Sequence, residues 1–302
     1  MILVAGSANL DFVVRAGHIP APGETVLGRD FQTFPGGKGA NQAVACARAG
    51  GAQTAMLCAL GHDNFAKPLL ASLADANVQV HKVSSQQPTG TAFICVSDEG
   101  ENAITVAPGA NADLLPAHWP AEFIANTKIS HLLMQLETPI PTVMAYAQAA
   151  RAQGTKVVLN AAPAPAQALP AELLSCIDLL IVNEGELATL AGSQGDVLAQ
   201  LHSLAKQYAL HTIVVTLGAQ GCMALHHGHV LKQKAYAINV IDTTAAGDTF
   251  CGSLVAALAR DLPLQQCLEE ASAASALACT RLGAQSSIPN REDVLAFMHN
   301  TA

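Results

Sequence analysis

Apolar residues run along this chain in short unbroken blocks, separated by stretches with helical spacing. Blocks at 1–5, 54–60, 129–134, 156–159, 179–182 and 212–216 show no polar alternation. Such runs predict strands covered on both faces. Between them, 39–49, 66–76, 142–153, 197–208, 249–260 and 264–281 repeat apolar positions at helical intervals. A further strand-like run, 236–241, precedes the fifth of these helices. The alternation predicts an α/β fold, with a mainly parallel central sheet flanked by helices on both faces. Two regions depart from it. Residues 10–34 and 91–106 hold strand-like pieces with no helix between them, and Pro20, Pro22 and Gly23 mark a turn in the first. They are expected to pair into a small β-sheet lid over the site. The Pro/Ala loop at 163–170 is too short to separate domains, so 1–302 reads as a single domain.

Composition narrows the class. The chain is 51% hydrophobic, yet no run of about 18 uncharged apolar residues occurs, so no transmembrane helix is expected. The apolar start lacks a basic segment and meets Asp11 too early for a signal peptide. Eight cysteines are scattered without a CxxC pair, which fits reduced, buried thiols. A cytoplasmic location is expected. The net charge of −8 and the lack of any Lys/Arg cluster argue against nucleic-acid binding.

The most informative segment is DTTAAGDTF at 242–250. Small residues at the mouth of a helix leave backbone N–H groups bare, and these attract anions such as phosphate. A carboxylate among them, Asp248, calls for its own reason. One reading is a first-turn acid that stabilises the helix dipole. The other is a base that takes the proton from a hydroxyl attacking phosphorus, with the amides of Ala245, Ala246, Gly247 and Asp248 stabilising the transferred group. The phosphate-sized gap built by Ala245, Ala246 and Gly247 favours the second.

Other motifs carry weaker signals on their own. Gly36 and Gly37, followed by Lys38 and Asn41 at a helix start, form a polar pocket. Asn9 and Asp11 after the first strand fit an Asx turn as well as a hydroxyl-binding pair. Asn183 and Glu186 stand at i and i+3, which suits a helix N-cap and also water-mediated Mg²⁺ binding. Thr216, Gly218 and Gly221 follow a strand and fit either a hairpin or a nucleotide-binding turn. His226, His227 and His229 around Gly228 read as a surface hairpin rather than a metal site. No Walker A motif and no GxGxxG after the first strand are present.

DTTAAGDTF resembles the C-terminal signature of the ribokinase-like (PfkB) sugar kinases, and PGGKGANQAVACARAG at 35–50 resembles their N-terminal one. NLD at 9–11, GENAITVAPGAN at 100–111, MQLETP at 134–139, NEGE at 183–186, TLGAQG at 216–221 and TRLGAQSSIP at 280–289 extend the likeness over essentially the whole chain. The resemblance implies an ATP-dependent kinase with Asp248 as base. It implies a sugar site of Asn9, Asp11, Gly37, Lys38, Asn41 and Glu137. It implies a nucleotide site of Asn183, Thr216, Gly218, Gly221, Gly247 and Ser272, the last smaller than the polar residue some members carry. Glu186 would hold Mg²⁺ through water. Asp242, Thr244 and Ser287, with backbone oxygens of Ala278, Arg281 and Gly283, would hold K⁺. A homodimer through the lid is implied too. GENAITVAPGAN and GGKGANQAVA are most similar to members that phosphorylate the 5-hydroxyl of D-ribose. Kinases for 2-deoxyribose, fructose or nucleosides would keep Asp248 and change the pocket. A noncatalytic sugar-binding regulator is opposed by the intact Gly247-Asp248 pair.

Overall fold

A computed structural model describes residues 1–192 and 195–301. In chain order the strands and helices begin β1 (Ile2–Ala5), β2 (Asn9–Ala16), β3 (Arg29–Gly36), α1 (Lys38–Arg48), β4 (Thr54–Leu60), α2 (Ala66–Asp75), β5 (Gln79–Ser84), β6 (Gly90–Ser97) and β7 (Asn102–Ala107). They continue with α3 (Ala121–Asn126), β8 (His131–Met134), α4 (Ile140–Ala152), β9 (Lys156–Asn160), α5 (Ala171–Leu174), β10 (Leu179–Asn183), α6 (Glu184–Ala191) and α7 (Val197–Tyr208). The last are β11 (Thr212–Thr216), β12 (Cys222–His226), β13 (His229–Gln233), α8 (Ala246–Leu258), α9 (Leu264–Ala278) and α10 (Arg291–Thr301).

Nine strands form one sheet in the order β13-β12-β11-β10-β9-β8-β1-β4-β5. All neighbours pair in parallel except β11–β12 and β12–β13. The central strands alternate between two apolar cores. Ile2, Val4, Met56 and Cys58 pack with α1, α2, α8 and α9, while Leu3, Ala5, Ala55 and Leu57 pack with α4 and α7. Burial on both faces explains why these strands read as unbroken apolar runs. The chain turns back between β1 and β8, and in sheets of this kind ligands bind outside the carboxyl ends of the strands at such a switch.

The two regions outside the alternation form a separate four-stranded sheet, ordered β3-β2-β6-β7. The pairing Asp11↔Phe34 and Asp11↔Ala92 places Asp11 on its inner strand. One face of this sheet carries Asp11, Val13 and Phe34 toward Val240, Ile241 and Gly283. The other carries Phe12, Phe31 and Phe93.

Three expectations need correction. Residues 236–241 form no strand. Val240 and Ile241 are 61% and 60% exposed, so this apolar run faces the gap beneath the small sheet and not a ladder. The following helix starts at Ala246, earlier than expected, because Ala245 takes a left-handed conformation (φ 58°) that lets the turn close ahead of Asp248. Asn9 and Asp11 lie within β2 and not in a turn after the first strand. The histidines do sit on a hairpin: His226 pairs with His229 across His227 and Gly228.

Candidate active site

The site is assembled from the carboxyl ends of β1, β8, β9, β10 and β11, the start of α1 and the start of α8. Gly37 is the N-cap of α1 at φ 88°. A side chain there would stand 2.7 Å from the Asn9 amide nitrogen, so this glycine meets both a conformational and a steric demand. Every residue of α1 from Gly39 to Cys46 is buried, including the polar pair Asn41 and Gln42. A buried polar pair needs partners, and it finds them on α8. Asn41 Nδ2 donates to Asp248 Oδ2 and Gln42 Nε2 to Asp248 Oδ1, each at 2.9 Å. Two sequence signatures, 207 residues apart at their contact, thus meet at one carboxylate.

Asp248 belongs to the first turn of α8. Ala246 N–H donates to the Thr243 carbonyl. Among the described residues no carbonyl or side chain accepts from the amides of Gly247 and Asp248. A Cβ on Gly247 would meet no atom within 4 Å. Bare amides, a positive helix end and open space beside them make an anion cradle.

The cradle opens into a cavity of about 230 Å³ lined by Lys38, Asn183, Glu186, Thr216, Gly247 and Asp248, among others. A second cavity of about 600 Å³ shares Thr216, Thr243 and Gly247 with it. The second is walled by Gly218, Gly221, Tyr236, Val240, Phe250 and Ser272, and it is mainly apolar. One end therefore suits phosphate and charge, the other a flat apolar group with polar edges. Gly221 (φ 94°) closes the β11–β12 hairpin, and a side chain there would strike the backbone of residues 233–235, where the chain leaves β13. The hairpin and nucleotide readings of this turn are compatible.

On the other side of Asp248 lies a set of polar side chains. Asn9 Oδ1 accepts from Asn111 Nδ2 at 2.7 Å, and Asn111 Oδ1 accepts from the Ala8 amide at 3.0 Å. Glu137 Oε2 accepts from Ser7 Oγ at 2.5 Å and from the Lys38 amide at 3.1 Å. The Asn41 Oδ1 atom is buried with no partner, an acceptor left for an incoming donor. Asp11 faces this group, and its carboxyl is pushed up to about 7, by burial first and then by Glu137 and Asp248. Burial pulls the Lys38 ammonium down, but Asp248, Glu137 and Glu186 outweigh it and hold it above the usual lysine range. Burial, with a smaller push from Asp248, raises Glu186 against its Asn183 amide bond and Lys38.

Asn183 and Glu186 form a reciprocal capping box on α6, with both bonds at 2.8 Å. The cap uses Glu186 Oε2, so Oε1 stays without a protein partner among the described residues. No group of three or more His, Cys, Asp or Glu able to hold a metal occurs among them either. One free carboxylate oxygen is a donor that suits Mg²⁺, which keeps most of its waters and takes few protein ligands. Further out, Asp242 Oδ1 accepts from Thr244 Oγ1 at 2.6 Å and from the Thr244 amide, and Oδ2 accepts from the Gly283 amide. The Cys279 carbonyl accepts from the Ile241 amide. Segments 242–244 and 278–287 are thereby held together beside the cradle. Ala278 and Ser287 are buried there, and the Ala278 carbonyl accepts from the Arg281 amide. The Asp242 carboxylate leaves one of its roughly four lone-pair positions unused by these bonds.

Four site residues were not foreseen by sequence reasoning. Ser7, Asn111 and Gln135 lie inside or beside motifs already noted, and Gln42 stands next to Asn41. For Gln42 the sequence carries no distinguishing signal: α1 also holds Lys38, Asn41 and Arg48, and only the fold shows that Gln42 is fully buried.

Residues 1–291 match the pfkB family of carbohydrate kinases. The ribokinase of Haemophilus influenzae is 39% identical over 99% of this chain and 98% of its own length. The solved ribokinase of Thermotoga maritima is similar with a TM-score of 0.90 at 33% identity, over 99% of each chain. Arabidopsis thaliana ribokinase, solved with ribose and ATP, gives 0.90 at 31% identity over 98% of each. The chain belongs to the PfkB family of carbohydrate kinases. Within it, the chain is a ribokinase-like sugar kinase.

Proposed function

We propose that this enzyme transfers the γ-phosphoryl group of ATP to the 5-hydroxyl of D-ribose. The observation that carries the reading is the position of Asp248. It lies between the hydroxyl-binding groups of β1, β2 and β8 and the anion cradle of α8, with both oxygens already oriented by amide donors. Two of its lone pairs remain to accept a hydroxyl proton. The sugar would be held by Asn9, Asp11, Gly37, Lys38, Asn41 and Glu137. As Asp248 takes the proton, the sugar oxygen attacks phosphorus, and the free amides of Gly247 and Asp248 face the charge on the phosphoryl oxygens. The nucleoside would occupy the larger cavity beside Ser272.

Glu186 Oε1 would hold Mg²⁺ through water, and that ion would supply positive charge against the phosphates of ATP. Asp242, Thr244, Ser287 and the 278–283 carbonyls would hold K⁺, which would favour one arrangement of the loop carrying the cradle. The aromatic face of the small sheet, with Phe31 64% and Phe93 53% exposed, supports a homodimer joined through it.

ADP release measured across D-ribose, 2-deoxyribose, fructose and adenosine, with and without K⁺, tests this reading. D-ribose is expected to give the highest kcat/KM, because a site built around a 2-hydroxyl leaves polar groups unpaired when that hydroxyl is missing. K⁺ is expected to raise the rate above that in a bulky organic cation. Preference for 2-deoxyribose or adenosine would move the substrate assignment, and indifference to K⁺ would remove that ion.

A further inference from the structure

Gln42 is fully buried, lines neither of the two cavities beside the cradle, and uses both N–H donors and one of the two oxygen lone pairs of its side-chain amide. Nε2 donates to Asp248 Oδ1 and to Asn160 Oδ1, both at 2.9 Å. Oε1 accepts from Gln135 Nε2 at 2.6 Å. An amide has two polar ends, and only the N–H end is compatible with a carboxylate. Asn160 fixes which end faces Asp248: its Nδ2 donates to the Ile181 carbonyl at 3.2 Å, so its Oδ1 faces Gln42 and can be met only by the N–H end of the Gln42 amide. The backbone is fixed as well. Gly252 on α8 lets the two helices approach so closely that a Cβ there would lie 2.6 Å from the Gln42 carbonyl oxygen.

We propose that Gln42 is a positioning residue for the phosphoryl-transfer reaction, held by Gln135 and Asn160 so that its amide fixes the orientation of the Asp248 carboxylate. This rests on the reading of Asp248 as the base. Asn41 alone donates to Oδ2 and leaves the carboxylate free to rotate about that bond. A second donor on Oδ1 sets the plane of the carboxylate, and with it the direction of the lone pairs that meet the sugar hydroxyl. The contact runs from β8 through α1 to α8, so the end of the sheet is tied to the base without touching substrate.

The test is a mutant cycle in the full chain. Gln42→Met keeps length and removes the amide. Misplacing a catalytic group by about 1 Å costs on the order of 10²-fold, so kcat should fall by roughly 10- to 100-fold. KM for sugar and for ATP should stay within about threefold, since uniform binding is untouched. In an Asp248→Ala background Gln42→Met should cause no further loss, because its effect passes only through Asp248. Equal losses in both backgrounds, or an unchanged kcat in folded Gln42→Met, would overturn the proposal. If Gln42→Met does not fold, side-chain amide NMR of the wild-type protein decides. The Gln42 Nε2 protons should exchange slowly and shift on Asp248→Ala; unaltered signals would overturn it equally. Failure of the kinase reading looks different: the wild-type chain would then release no sugar-dependent ADP.

Discussion

Asp11 shows what a single residue contributes and costs. Its carboxyl is held at about 7 by burial and by two neighbouring carboxylates. The folded protein therefore keeps a proton that the unfolded chain has released from about pH 4 upward. Stability from this group is full below that range and is lost as pH rises through 7, on the order of 1–4 kcal/mol. Asp11→Asn removes the charge, so its thermal stability should gain on the wild type from pH 4 to pH 8, with no gain at pH 4. In the proposed sugar site, the same change would remove an acceptor for two sugar hydroxyls. Bonds to charged groups are worth about 1.5–3 kcal/mol, so KM for the sugar should rise at least ~10-fold. A variant that binds sugar normally and gains no stability at pH 8 would contradict both parts. Gly37 and Ala245 make a related point: their left-handed backbones place α1 and α8, at a conformational cost for Ala245.

At the scale of elements, the site depends on how closely α1 lies on α8. A Cβ on Gly252 would stand 2.5 Å from the Ala45 Cβ and 2.6 Å from the Gln42 carbonyl. In an exposed helix, Gly→Ala would gain about 1 kcal/mol of propensity. Here the neighbour is backbone that cannot swing aside, and overpacking typically costs about 1–3 kcal/mol. Gly252→Ala should thus lower the unfolding temperature and reduce kcat by separating Asn41 and Gln42 from Asp248. A raised unfolding temperature would contradict this account. The elements themselves were mostly legible, because strands buried on both faces and helices of regular spacing leave periodic signatures. The run at 236–241 misled because apolarity was read as ladder pairing, whereas Val240 and Ile241 face the space beneath the small sheet. Asn183 and Glu186 also illustrate a limit. The i, i+3 spacing fits a cap and a metal site alike, and the capping box uses only one of the Glu186 oxygens. Gln42 was illegible since a buried glutamine is recognisable only once its partners on β8, β9 and α8 are brought together.

At the scale of the molecule, two sheets divide the work. The large sheet presents its carboxyl ends, and the small one carries Asp11 over them. The aromatic face of the small sheet, with Phe12 stacked on Phe93 at 5.4 Å and on Phe31 at 6.2 Å, is expected to meet a second copy. Light scattering should give twice the chain mass of 31.1 kDa, and Phe93→Asp should halve it. A wild-type monomer would remove the dimer from the account. The central claim is that Asp248 is the base in phosphorylation of ribose. It is tested most directly by the rate of ribose 5-phosphate formation, followed by phosphorus NMR in wild type and Asp248→Asn under saturating substrates. The account predicts ribose 5-phosphate from the wild type and a kcat at least ~10²-fold lower in the folded variant. Near-normal turnover by Asp248→Asn would contradict it.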